Sequence, residues 1–181
     1  MNWQAKRSVR LGNLGEQIVD QYLAQKGVIP YAPAVEGAHP FDRLCAYKKT
    51  RIFIAETKTK PRRLKYPDTG ISLKHYAEYK QIEQAHSLDV WLFFVDSDQA
   101  QVYGGKLKDL EIPICVRHNG ALLAYPMTYG GEFSATIYFP LCNMKAIASL
   151  TEEQVERLKG LSGRARKYEE IHATEVDGSQ P

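Results

Sequence analysis

The chain has 181 residues, 44% of them hydrophobic and 25% charged, with a formal net charge of +3. That length suits one domain with a proper core, and the composition excludes wholesale disorder. A net charge this mild does not by itself indicate a nucleic-acid partner. Cys45, Cys115 and Cys142 lie far apart without CxxC spacing, which argues for a reducing compartment and against a disulfide framework or structural zinc. The longest apolar run, Val90 to Val95, falls far short of the ~20 residues that span a bilayer. With the polar, basic start "MNWQAKRSVR", the sequence predicts no signal peptide, no membrane anchor and a cytoplasmic location.

Along the chain, Leu11, Leu14, Ile18, Val19, Tyr22 and Leu23 recur at helical spacing and predict a helix from about Val9 to Lys26, stopped by Gly27. Short strands follow at 28–33, 41–47 and in "RIFIAETK". Pro61, Pro67 and Gly70 make 61–71 read as loop, and Ser72 is a suitable N-cap for a helix from Leu73 to about Ala85. "DVWLFFVDS" at 89–97 is a continuous apolar strand, of the kind buried on both faces.

After Asp98 the texture becomes β-rich, with runs at "QVYGGKL", "IPICVRH", "ALLAYPM" and "SATIYFPL". Asn119-Gly120 between two of them signals a type I′ hairpin. That turn accounts for His118-Asn119 without an HNH metal site. Thr151, with Gln154 three residues on, opens a last helix through a capping box, and Val155, Leu158 and Leu161 form its stripe. The polar tail from Ser162 is expected to be loose. The expected organisation is a single domain over 1–161, with a core at 9–97, a β-rich elaboration at 98–148 and a final helix at 151–161. A mixed α/β sheet is the natural packing of the first half.

The strand "RIFIAETKTK" changes character halfway along. Alternation puts Ile52, Ile54, Glu56, Lys58 and Lys60 on one face. The two isoleucines would seat the strand, and Glu56 and Lys58 would project side by side at its end. Alone, that pair reads equally as a solvated ion pair of little worth. Only Lys48 to Thr50 separates it from the preceding strand. If a three-residue loop closes the hairpin, Asp42 lies directly opposite Glu56; a two-residue loop would turn Asp42 to the other face. Two carboxylates so placed repel unless a cation sits between them, and Mg²⁺ often uses one or two carboxylates completed by water and phosphate. Glu16 stands at the margin of the first helix's stripe, where it is either an ordinary exposed glutamate or one able to reach the sheet end.

Taken in order, "LGNLGEQIVDQYLAQKG", "HPFD" and "IAETK" resemble the PD-(D/E)XK nuclease superfamily, and within it the archaeal Holliday junction resolvase-like nucleases. The resemblance covers residues 11 to about 96. Phe41 separates Pro40 from Asp42, a departure at the loosest part of the pattern, and 99–150 matches nothing in the core motif. The resemblance implies a restriction endonuclease-like α/β fold with an αβββαβ core. It implies a Mg²⁺- or Mn²⁺-dependent nuclease hydrolysing DNA, structured or junction DNA included, in repair or recombination; RNA is left open, and a homodimer would be in keeping. Asp42 and Glu56 would be metal ligands, completed by the Thr57 carbonyl. Glu16 would help hold the metal, and Lys58 would be the motif lysine. Lys74 or Gln81 is the candidate for a polar residue sent from the second helix toward the site, the alternative being a solvated helix face. Lys60, Arg62, Arg63 and Lys65 leave the active strand directly and could neutralise backbone phosphates. A module of the same fold that binds nucleic acid without cutting is the alternative.

Overall fold

The computed structural model describes residues 6–34, 39–48, 50–131 and 135–162; the expected tail beyond Ser162 lies outside them. In chain order the elements are α1 (Arg7–Gln25), β1 (Val28–Tyr31), β2 (Arg43–Tyr47), β3 (Arg51–Thr59), β4 (Asp68–Ser72), α2 (Leu73–His86), β5 (Asp89–Asp96) and β6 (Gln101–Lys106). The short α3 (Leu107–Leu110), β7 (Ile114–His118), β8 (Ala121–Tyr125), β9 (Met127–Tyr129), β10 (Thr136–Pro140), β11 (Lys145–Ser149) and α4 (Glu152–Leu161) complete it.

The fold is mixed α/β. Six strands form the central sheet in the order β1-β2-β3-β5-β6-β11; β3 and β5 are parallel, and every other neighbouring pair is antiparallel. Alternation then divides the core. One face carries Cys45, Ala55, Phe93, Val95 and Val102 against Leu14, Ile18, Val19 and Leu23 of α1 and Leu158 of α4. The opposite face carries Ile54, Val90, Leu92 and Phe94 against Tyr79 of α2 and Leu107 and Leu110 of α3. β5 is buried on both faces, as its unbroken apolar sequence requires. Among the described residues no helix is long and apolar enough to cross a membrane.

Local signals set most of the boundaries. Ser72 accepts the His75 N–H at the start of α2, and Thr151 and Gln154 close a reciprocal capping box on α4. Asn119 and Gly120, both with positive φ, join β7 to β8 in the two-residue turn expected, His118 pairing with Ala121. Arg7 ties the two helices on one face together, its guanidinium donating to the carbonyls of Gly160, Leu161 and Ser162 at the end of α4.

Two expectations are corrected. The stretch 61–71 is not all loop: Asp68–Ser72 is a strand that pairs antiparallel with β10, in a separate three-stranded sheet ordered β4-β10-β9. Its sequence, "DTGIS", has no apolar alternation to announce it. Gly70 lets the backbones close up, since a Cβ there would lie 2.1 Å from the Ile137 carbonyl oxygen. Ile52 does not seat β3. It is 57% exposed, whereas Ile54 is 1% exposed, because the helix-covered part of that face begins at Ile54. From the β-rich second half, β6 and β11 extend the central sheet.

Gly15 shows how closely α1 rests on the sheet. A Cβ at this position would stand 1.7 Å from Thr59 Oγ1, while one at Gly12 would meet nothing within 4 Å. Gly15→Val is therefore expected to cost about 1–3 kcal/mol of stability by overpacking, and Gly12→Ala to be neutral or slightly stabilising. Urea unfolding of both variants checks this.

Candidate functional site

β2 and β3 pair with Arg43 opposite Ala55 and Tyr47 opposite Arg51. This is the three-residue-loop register, and it carries Asp42, the residue just before β2, to the position facing Glu56. The main chains confirm the approach: the Asp42 N–H donates to Glu56 Oε2 at 3.2 Å, and the Thr57 N–H donates to Asp42 Oδ2 at 2.7 Å. Lys58, two residues along the same face, places Nζ 2.5 Å from Glu56 Oε1. Glu56 is only 3% exposed, so the carboxylate pair lies where the sheet's interior meets solvent.

Burial raises the Asp42 carboxyl first of all, the facing Glu56 charge raises it further, and Glu16 adds to both. The Thr57 N–H and the Lys58 ammonium oppose them, and Asp42 ends at about 7. Glu16 is also raised, chiefly by burial, against the lowering effect of Arg43. These mutual influences place Glu16, Asp42, Glu56 and Lys58 in one electrostatic neighbourhood.

Arg43 is what links Glu16 to the pair. One register position beyond Asp42, it points to the α1 side of the sheet. There it meets Glu16 at 3.1 Å and Asp20 at 2.9 Å, and it donates back to the Asp42 carbonyl at 2.8 Å. Sequence reasoning passed over it, although alternation from Asp42 was a signal that could have found it. The second residue missed is Tyr79 of α2. It is 2% exposed, and its hydroxyl feels the buried Glu56 carboxylate. Burial and then the Glu56 carboxylate push its pKa well up.

The other candidates fall elsewhere. Lys74 is exposed and 3.9 Å from Glu78; with Gln81, His75 and Pro40 it borders an open groove of about 580 Å³, beside the segment leading into Asp42. Arg63 forms an ion pair with Asp68, which is fully buried, and its guanidinium lies 3.8 Å from the Tyr138 ring centre and 4.3 Å from that of Tyr66. The Arg62 N–H donates to Asp96 Oδ2 at 3.0 Å. Lys60 is half-buried and Lys65 exposed, and His118 Nε2 lies 3.0 Å from the Lys65 carbonyl oxygen.

Among the described residues, no three His, Cys, Asp or Glu side chains gather closely enough to form a metal cage by themselves. The donor set at Asp42 and Glu56 is nonetheless one a hard cation uses: two opposed carboxylates whose repulsion it would relieve, with the rest of the shell left to water and phosphate.

No family model matches this chain, and no curated protein sequence matches it. Among solved structures it is similar to Hjc, a Holliday junction resolvase from the archaeal hyperthermophile Archaeoglobus fulgidus, at 13% identity and a TM-score of 0.45, over 80% of this chain and 98% of that one.

Proposed function

We propose that this protein is a metal-dependent nuclease that hydrolyses phosphodiester bonds in DNA, with structured or junction DNA the first substrate to test. The observation that carries the reading is the placement of Asp42 opposite Glu56 with Lys58 on the same face. Opposed, largely desolvated carboxylates repel each other even with their main-chain hydrogen bonds made, and a role in holding a cation accounts for the pairing. Asp42, Glu56 and the Thr57 carbonyl would hold Mg²⁺ or Mn²⁺, and Glu16, kept near by Arg43, would act on it from further out. Such an ion supplies a more acidic bound water and Lewis-acid stabilisation of charge on phosphate. Lys58 contributes a cation aimed at the charge that grows on the phosphoryl oxygens. The Lys58 ammonium and the Asp42 N–H both hold Glu56 in place. Lys60, Arg62 and Lys65 follow β3 and offer phosphate contacts, and Lys74 and Gln81 offer others from the groove on α2. Arg63 could join them only by leaving Asp68 uncompensated.

The test is cleavage of junction, flap, single-stranded and duplex DNA in Mg²⁺ or Mn²⁺. Glu56→Ala and Lys58→Ala are each expected to lower the rate at least about a hundredfold, the scale of losing one aimed electrostatic group. Cleavage unchanged in both variants, or no cleavage of any substrate, would overturn the assignment. Salt-sensitive DNA binding without cleavage would point instead to a binding module of the same fold.

A further inference from the structure

On the α1 face of the sheet, past the end of that helix, lies an open trough of about 610 Å³, a size within the range of about 300–1,000 Å³ for specific ligand sites. Its floor is aromatic. Phe53 and Trp91 are neighbours across the parallel β3–β5 pair, with ring centres 6.3 Å apart, and Trp91 and Phe93 are near-parallel at 6.1 Å. All three face the core cluster on one side, yet Phe53 and Trp91 stay part-exposed on the other. Tyr22 and Tyr47 continue the apolar surface toward α1 and β1.

The rim is cationic: Lys26 at the end of α1, Arg51 at the start of β3, Lys106 at the end of β6 and Lys145 at the start of β11. Two of these already lie against rings, Lys26 Nζ 5.8 Å from the Tyr22 centre and Lys106 Nζ 5.9 Å from that of Trp91. The one acidic residue of the lining, Asp89, is paired with Lys106 at 2.8 Å and with Lys108 at 2.5 Å, so the excess charge remains positive.

We infer that this trough binds single-stranded nucleic acid, its bases stacking on Phe53 and Trp91 and its phosphates meeting Arg51, Lys145 and Lys26. Flat π faces carried on a polyanion match an aromatic floor within a cationic rim, and such platforms accept bases without regard to sequence. A second copy of the chain is the poorer occupant. A two-fold contact sets the same patch against itself, which would press one cationic rim onto another. The trough is a site apart from the carboxylate pair. Phe53 shares a face with Ala55, whereas Glu56 shares the opposite one with Ile54, and Arg51 is about 16 Å of strand away from Glu56. The inference therefore does not rest on cleavage, and a chain that never cuts can still bind here.

The test uses the full chain carrying Glu56→Ala, without divalent metal, so that nothing is hydrolysed. Trp3→Phe is added so that fluorescence reports Trp91. The probes are oligo-dT and oligo-rU of about twelve nucleotides at low salt. Binding of either is expected to quench Trp91 saturably. Arg51→Glu with Lys145→Glu, both exposed positions, is expected to weaken binding at least tenfold and to reduce the salt slope by about 1.4, about 0.7 for each phosphate no longer neutralised. Lys26→Glu, on the other wall, should weaken binding in the same direction if either strand variant proves poorly folded. Absence of quenching, quenching indifferent to all three reversals, or a dimer in sedimentation that these reversals dissociate would each overturn the inference, the last by making a second copy the occupant.

Discussion

Replacing Arg63 by alanine is expected to cost the fold about 3–5 kcal/mol, the scale of stranding one partner of a buried ion pair. Asp68 is fully buried. Its oxygens receive Arg63 through Nε at 2.6 Å and through Nη2, and the Tyr125 hydroxyl at 2.6 Å. The guanidinium is itself held between the rings of Tyr66 and Tyr138 and lies 3.3 Å from Met127 Sδ. It thus joins the loop after β3 to β4, β8, β9 and β10. Without it, a carboxylate at the first position of β4 loses its countercharge in a place water does not reach, and the three-stranded sheet loses its tie to the loop after β3. Arg63→Lys keeps the charge but not the fork or the stacked plane, and should recover less than half of the loss. Arg63→Leu with Asp68→Leu, which removes both charges, should be nearer the wild type than either single change. Urea midpoints of these variants decide the matter: an Arg63→Ala midpoint close to wild type, with DNA binding alone reduced, would return Arg63 to a phosphate-contacting role.

Arg63 also shows where the sequence ran out. In "KTKPRRLKY" it is one cation of several, and nothing local distinguishes a residue facing solvent from one facing a buried aspartate. The partner sits in "DTGIS", a strand without an apolar pattern, whose existence depends on pairing with β10 far along the chain. Long-range pairing leaves no local periodicity to read. Where the deciding physics was local, it was legible: the caps of α2 and α4, the Asn119-Gly120 turn, and the doubly buried β5. The geometry of the candidate site was legible for a related reason. Loop length and alternation fix the β2–β3 register, and register alone brings Asp42 to Glu56. The same alternation, followed one residue further, would have turned Arg43 toward α1 and supplied the link to Glu16. Tyr79 was out of reach, because a helix's angular setting against a sheet is decided by tertiary packing.

The largest expected consequence of that register is a metal-free chain more stable with asparagine at position 42 than with its native aspartate. In the metal-free protein the Asp42 carboxyl is raised from 3.8 to about 7, by burial and then by Glu56. Between those pH values the folded chain keeps a proton that the unfolded chain has released. Stability therefore falls as pH rises from about 4 to about 7, and stays lower above it. A tenfold difference in proton affinity between the folded and unfolded chain corresponds to about 1.4 kcal/mol, so Asp42→Asn is expected to stabilise the metal-free protein by about 2–4 kcal/mol at pH 8 and to make little difference at pH 4. The asparagine keeps an oxygen for the Thr57 N–H while removing the charge that opposes Glu56. A divalent cation relieves the same repulsion from the other direction. Mg²⁺ or Mn²⁺ should accordingly raise the melting temperature of the wild type, leave that of Asp42→Asn nearly unmoved, and narrow the gap between them. If the proposed nuclease reading holds, the same substitution should slow cleavage at least about a thousandfold, since it would remove one of the two proposed anionic ligands. Thermal melts at pH 4, 6 and 8, with and without metal, test this independently of any substrate. A wild type as stable as Asp42→Asn at pH 8, and unresponsive to metal, would mean that the two carboxylates do not oppose each other enough to need a cation.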